Sequence, residues 1–157
     1  MADLPIRPVD DRQTDVPGGL QIASSSGRIR GAIDVLAADR IRHGIRAVDD
    51  TGLLNELAAR EIVCDVCTVS NVQTGAVDSL DNHPLGQMIA AGVRCSISTD
   101  DPAMFDTDLS REYEAAAHLG CPPELAFHAG VIGALCEEGT RAVLLAIEES
   151  FPWSFSA

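Results

Sequence analysis

The segment Arg94–Phe105, RCSISTDDPAMF, carries an alternating, β-branched run straight into two adjacent aspartates, Asp100 and Asp101, and a proline. Neighbouring carboxylates repel, so a strand that ends on such a pair needs positive charge or hydrogen-bond donors close by. A metal ion, a polar substrate, or the donors of a turn or helix cap would each serve. Two other stretches end in side chains able to do chemistry: DRIRHG, which stops at His43-Gly44, and EIVCDVCTVSN, which runs into Thr68, Ser70 and Asn71.

The elements that must position these groups are legible in order. RIRGAIDVLAA, from Arg28, places Ile29, Ala32, Ile33 and Leu36 at helical spacing, and a short strand follows, ending at His43. Asp49 or Asp50 caps a helix through TGLLNELAAR, and EIVCDVC has the compact, β-branched composition of a buried parallel strand. Asn82 is placed to cap HPLGQMIAA, with Pro84 in its first turn and Gly92 at its end, and VRCSIS forms the third strand. Beyond the aspartates the pattern is helical only: LSREYEAAAHL, PPELAFHAGVIGAL and EEGTRAVLLAIEE, with Gly120, Pro122 and Pro123 breaking the first from the second. Helix and strand alternating three times predict an α/β fold of parallel strands with right-handed crossovers. The polar candidates then share the C-terminal rim of the sheet, where chemistry sits in such folds. Residues 1–27, rich in proline, acids, glycine and serine, read as an irregular tail or linker before a domain of residues 28–157.

Four ordered blocks, DRIRHGIRAVDD, VCTVSNVQTGAV, NHPLGQMIAAGV and SISTDDPAMFDTDLSREYEAAA, resemble the C-terminal half of the adenosine deaminase family, and the helical tail through Trp153 is similar to its bacterial members. The resemblance implies a partial (β/α)₈ TIM barrel: about the last three β/α units plus C-terminal helices. It also implies a lineage that deaminates adenosine or a related aminopurine hydrolytically, with a zinc-activated water. Carried over by position, His43 would orient that water and stabilise developing charge, Asp100 would be a metal ligand, and Asp101 would hydrogen-bond a purine ring nitrogen. Ser70 and Asn71 would line the rim. Zinc lowers the pKa of bound water to about 7, which is the chemistry such a site requires.

The chain departs from the family pattern in two respects. No histidine precedes His43, and the positions of the family's His-Ala-Gly-Glu block fall near GLQIAS (residues 19–24), which has neither histidine nor glutamate. Three metal ligands and the general acid/base are therefore missing, whereas catalytic zinc keeps about three protein ligands. Arg42 also stands where the family has glycine, a bulky cation that could crowd the pocket or repel a metal. These 157 residues alone are expected to be catalytically inert, as one half of a split enzyme completed by another chain, a truncated product, or a non-catalytic purine-binding or interaction remnant. Three further motifs have plainer readings. His128 in HAGV sits mid-helix as a surface or packing histidine, Cys64 and Cys67 are buried thiols in an apolar strand, and His83 beside Pro84 is a structural cap position.

Composition narrows the remaining classes. With 24 acidic residues against 11 arginines and a formal charge of −13, the surface repels phosphate backbones, which argues against binding nucleic acid. At 157 residues the chain makes one domain, short of the roughly 200 that a lean eight-stranded barrel needs. No run of 18 apolar residues offers a membrane span. The start MADLPIRPVDD has neither a basic nor an apolar leader region, so a cytoplasmic location is expected. Five cysteines, an odd number, fit reduced and mostly buried thiols.

Overall fold

The computed structural model describes residues 25–153. Three short strands, β1 (Arg40–Arg42), β2 (Val63–Val66) and β3 (Arg94–Ile97), form one parallel sheet in the order β1-β2-β3. Helix α1 (Ser26–Val35) precedes β1, α2 (Thr51–Ala59) connects β1 to β2, and α3 (Thr68–Gln73) with α4 (Leu85–Ala90) connects β2 to β3. After β3 come α5 (Pro102–Phe105), α6 (Leu109–His118), α7 (Pro123–Ile132) and α8 (Glu138–Ser150).

The register sorts the side chains into two chemically different faces. Ile41, Cys64 and Cys95 lie in one row and Val66 pairs with Ile97. Alternation along a strand puts this set on one face. It packs on Ile29 and Ile33 of α1, Leu53 and Leu57 of α2, and Leu85 and Met88 of α4, all buried. The other face carries Arg40, Val63, Asp65, Arg94 and Ser96. Arg40 grips Asp65 through two contacts of 2.6 Å, and Ser96 bonds the same carboxylate.

The third guanidinium donor of Arg40 reaches the Gly133 carbonyl at 2.6 Å and ties the end of α7 to this face. The approach is close, since a Cβ on Gly133 would stand 3.0 Å from Val63 Cγ2. Helix α8 packs on α7, and Arg141 closes the α7 C-terminus by donating to the carbonyls of Val131, Ile132 and Ala134. No helix among the described residues is long and apolar enough to cross a membrane.

Most boundaries fall where the sequence places them, and the exceptions have local causes. Asp50 is the residue that caps α2, accepting from the Leu53 N–H at 3.0 Å. Helix α1 begins at Ser26, inside the stretch read as tail, with extended Ser25 as its N-cap. The rest of that tail, residues 1–24, lies outside the described residues. Asn82 does not cap α4: it ends a 3₁₀ turn, Leu80–Asn82, and α4 starts at Leu85 after Pro84. The cap comes from His83, whose Nδ1 accepts the Leu85 N–H at 3.1 Å.

Helix α3 has no cap of its own, because its N-cap residue is Cys67. The donors at its start are met from elsewhere. Glu112 of α6, fully buried, accepts from Thr68 N at 2.8 Å, Thr68 Oγ1 at 2.7 Å and Val69 N at 3.3 Å, and Thr107 Oγ1 donates to its second oxygen at 3.2 Å. A carboxylate at a helix N-terminus satisfies orphan N–H groups and faces the positive end of the backbone dipoles. Glu112→Ala leaves these donors buried and unpaired, at a cost of about 3 kcal/mol. Urea unfolding is expected to show that loss as a lowered midpoint, with Glu112→Gln intermediate.

Candidate active-site rim

The C-terminal ends of β1 and β3 both leave the sheet through left-handed backbone. His43 has φ +60°, followed by Gly44 at +70°, and Asp100 has φ +60°. Non-glycine residues adopt this region at a cost, least for Asp and Asn. Gly44 cannot be replaced easily, because a Cβ there would meet Cys64 Sγ at 2.7 Å. The turns bring His43 Nε2 to 3.9 Å from Asp100 Oδ2. Residues far apart in the chain thus converge on the rim.

The adjacent aspartates have separate partners. Asp100 faces the rim: Ser70 Oγ donates to Oδ2 at 2.8 Å and Arg42 Nη2 bonds Oδ1. Burial works to raise its pKa, but the bonds from Ser70 and Arg42, with the Arg42 charge, outweigh it and hold the carboxyl below the usual carboxylate range. Asp101 caps α5 instead, accepting from the Met104 N–H at 2.9 Å, with Pro102 at the first helical position. The repulsion is relieved by a guanidinium on one carboxylate and a helix start on the other.

Behind His43 lies a buried polar row. His83 is held neutral, its pKa pushed down to about 4 by burial first and then by the neighbouring His43. Since the Leu85 N–H donates to Nδ1, the neutral ring carries its proton on Nε2, which stands 2.9 Å from the terminal amide of Asn71. The Asn71 atom suited to that proton is its carbonyl oxygen. On the other side of this pair, His43 Nδ1 is buried with no hydrogen-bond partner. Burial also lowers the His43 pKa, against the pull of Asp100 and with the help of Arg42, so His43 is a neutral imidazole with Nε2 on the Asp100 side.

The remaining polar candidates are structural. His128 is exposed on α7 and pairs with Glu148 of α8 at 2.9 Å. Cys64 and Cys67 are buried thiols pushed up to about 12, both by burial first, which suits neither metal binding nor redox exchange. The residues present do not fit a zinc centre. Among the described residues no three His, Cys, Asp or Glu side chains are grouped to hold a metal. Both Asp100 oxygens are engaged, one by a cation. Sequence reasoning placed His43, Asp100, Asp101, Ser70 and Asn71 on the rim, but it missed the Asn71–His83 link and Glu112. Those depend on contacts across 12 and 44 residues that no local spacing encodes.

Comparison with known proteins bears on the family and the fold. Residues 19–138 match the family model for adenosine deaminase. The chain is 47% identical over 131 residues to the aminodeoxyfutalosine deaminase of Acidothermus cellulolyticus, covering 83% of this chain and 37% of that protein. Its fold is similar to the adenine deaminase of Arthrobacter aurescens, with a TM-score of 0.75, 30% identity, and coverage of 84% of this chain and 41% of the other. A Burkholderia ambifaria amidohydrolase solved with bound zinc gives 0.72 and 26% identity, covering 80% and 36%. The chain therefore spans well under half the length of these proteins, and its fold is a partial (β/α)₈ barrel.

The buried histidine sets a pH dependence. An unfolded histidine titrates near 6.5, whereas folded His83 stays neutral to about 4, so the unfolded chain binds the extra proton between these values. Stability from this residue is complete above pH 6.5 and declines as pH falls toward 4, by about 3 kcal/mol in all. Unfolding measured from pH 7 to 4.5 is expected to show this slope, and His83→Asn to flatten it. Ring ¹⁵N shifts at pH 7.5 are expected to report protonated Nε2 for His83.

Proposed function

The chain belongs to the adenosine deaminase family, and from that premise we propose that it carries part of the substrate rim of a purine deaminase barrel. The reaction of that lineage is hydrolytic: water adds to the ring carbon bearing the amine, the C–N bond breaks, and ammonia leaves an oxopurine. On this reading Asp101 hydrogen-bonds a ring nitrogen of the aminopurine, with one proton between them, through the carboxyl oxygen its helix cap leaves over. His43, a neutral imidazole, orients the attacking water. Asp100 is the anionic centre of the rim. The observation that carries the proposal is the convergence of His43 and Asp100 from the ends of β1 and β3, both on left-handed backbone. Backbone of that kind persists where surrounding structure enforces it, commonly at functional sites.

These 157 residues by themselves are silent in catalysis on this reading. His43 and Asp100 supply neither a metal-binding set nor a carboxyl acid positioned to pass a proton to the leaving amine. The outer edges of β1 and β3 have no strand partner among the described residues, which favours completion by a second chain bearing the remaining barrel strands.

The test is zinc content and turnover of adenosine and adenine on one purified sample, with Asp100→Ala beside it. The expected result is no stoichiometric zinc and no turnover by either protein. Activity that appears only when a chain carrying the His-x-His and His-Ala-Gly-Glu blocks is added, and is lost in Asp100→Ala, supports the split-enzyme reading. Zinc-dependent turnover by the chain alone would refute the claim of silence.

A further inference from the structure

We infer that Arg42 is the resident cation of this rim: its guanidinium neutralises Asp100, so the chain folds without a metal there and takes up none through Asp100 while Arg42 is in place. The inference shares with the proposed function the choice of Asp100 as the site carboxylate, but concerns charge rather than catalysis.

The geometry leaves Arg42 little else to do. Its strand neighbour in the register, Asp65, is already held by Arg40 through both oxygens and by Ser96, so the carboxylate nearest along the ladder is saturated. Arg42 instead extends past it to Asp100 Oδ1. The second Asp100 oxygen is taken by Ser70 at 2.8 Å, and the His43 ring closes the same side at 3.9 Å. Each carboxylate oxygen thus already has a donor, with the His43 ring beside them. Asp101 is next to it in sequence, which makes an uncompensated Asp100 unfavourable.

A divalent ion approaching Asp100 must therefore displace a cation that cannot be titrated away, since a guanidinium remains charged throughout the working pH range. It would also gain few ligands in return, because His43 is the nearest candidate and, among the described residues, no third His, Cys, Asp or Glu side chain joins the two. An exposed ion pair contributes little; in this one the Arg42 side chain is 44% exposed and the Asp100 side chain 18%, so its contribution is modest.

The experiment uses the 157-residue chain and two readouts independent of activity. Urea unfolding is measured for the native sequence, Arg42→Gln, Arg42→Lys, Asp100→Asn and the double variant Arg42→Gln/Asp100→Asn, and bound zinc is measured by equilibrium dialysis against Zn²⁺. Arg42→Gln is expected to lower the folded-to-unfolded ratio about tenfold. Arg42→Lys should retain most of it, and removing the Asp100 charge in the Gln background should restore it. The native chain is expected to retain no stoichiometric zinc and to unfold identically with and without chelator. Two results would overturn the inference: independent effects of Arg42→Gln and Asp100→Asn, or one zinc per native chain with a raised midpoint that Asp100→Asn abolishes.

Discussion

The rim rests on the buried carboxylate of Glu112. Helix α3 is short, rich in β-branched and polar residues, and preceded by a cysteine that cannot cap it. Such a segment has little reason to be helical alone. Glu112 supplies from α6 the acceptor that its first N–H groups lack, and in doing so fixes where α3 begins. Everything α3 contributes then follows from one helical turn: Ser70 against Asp100, Asn71 against His83. The helix after β3 thus organises the segment after β2, and the rim is set by tertiary contact more than by strand ends.

The second organising principle is allocation of charge. Arg40 and Arg42 share one side of β1, and Asp65 and Asp100 are the acids within reach. Because Arg40 takes Asp65 in a bidentate grip and also anchors the end of α7, Arg42 is left to Asp100. A planar fork with five donors suits the first role, bridging sheet and helix, in a way lysine could not; the absence of lysine from the whole chain is consistent with arginines holding such fixed positions. The apolar face needs no comparable arrangement, since Ile41, Cys64 and Cys95 are satisfied by burial against α1, α2 and α4.

Much of the architecture was legible in the sequence because it is written in local periodicity. The three strands, the Asp50 cap and the late helices follow from apolar spacing and capping chemistry. The rim residues His43, Asp100, Ser70 and Asn71 were legible as polar groups at strand ends, and the resemblance to a deaminase half-barrel named the family. Helix α3 was not legible: Thr68, Val69 and Val72 favour extended backbone, and the residue that overrides them is 44 positions away. The α4 start was misplaced for a related reason. Asn82 is the better cap by type, but the 3₁₀ turn ending at Asn82 commits it, and a histidine ring stands in.

Ancestry and chemistry separate in this chain, and the separation has a physical basis. The apolar face and the capping contacts that make a β/α unit require no metal, so a segment can keep the family's fold while its ligand set is incomplete. A partly buried anion beside a second anion destabilises the fold that holds it unless a cation compensates it. Either a cation arrives from outside or the chain provides one. Placing arginine one residue before the rim histidine provides it in cis, from the strand end nearest to Asp100, without altering the apolar face or the turn at Gly44. If Arg42 is the resident cation of the rim, it also stands in a metal's way, and a barrel completed on this half would have to move it before Asp100 could serve as a ligand.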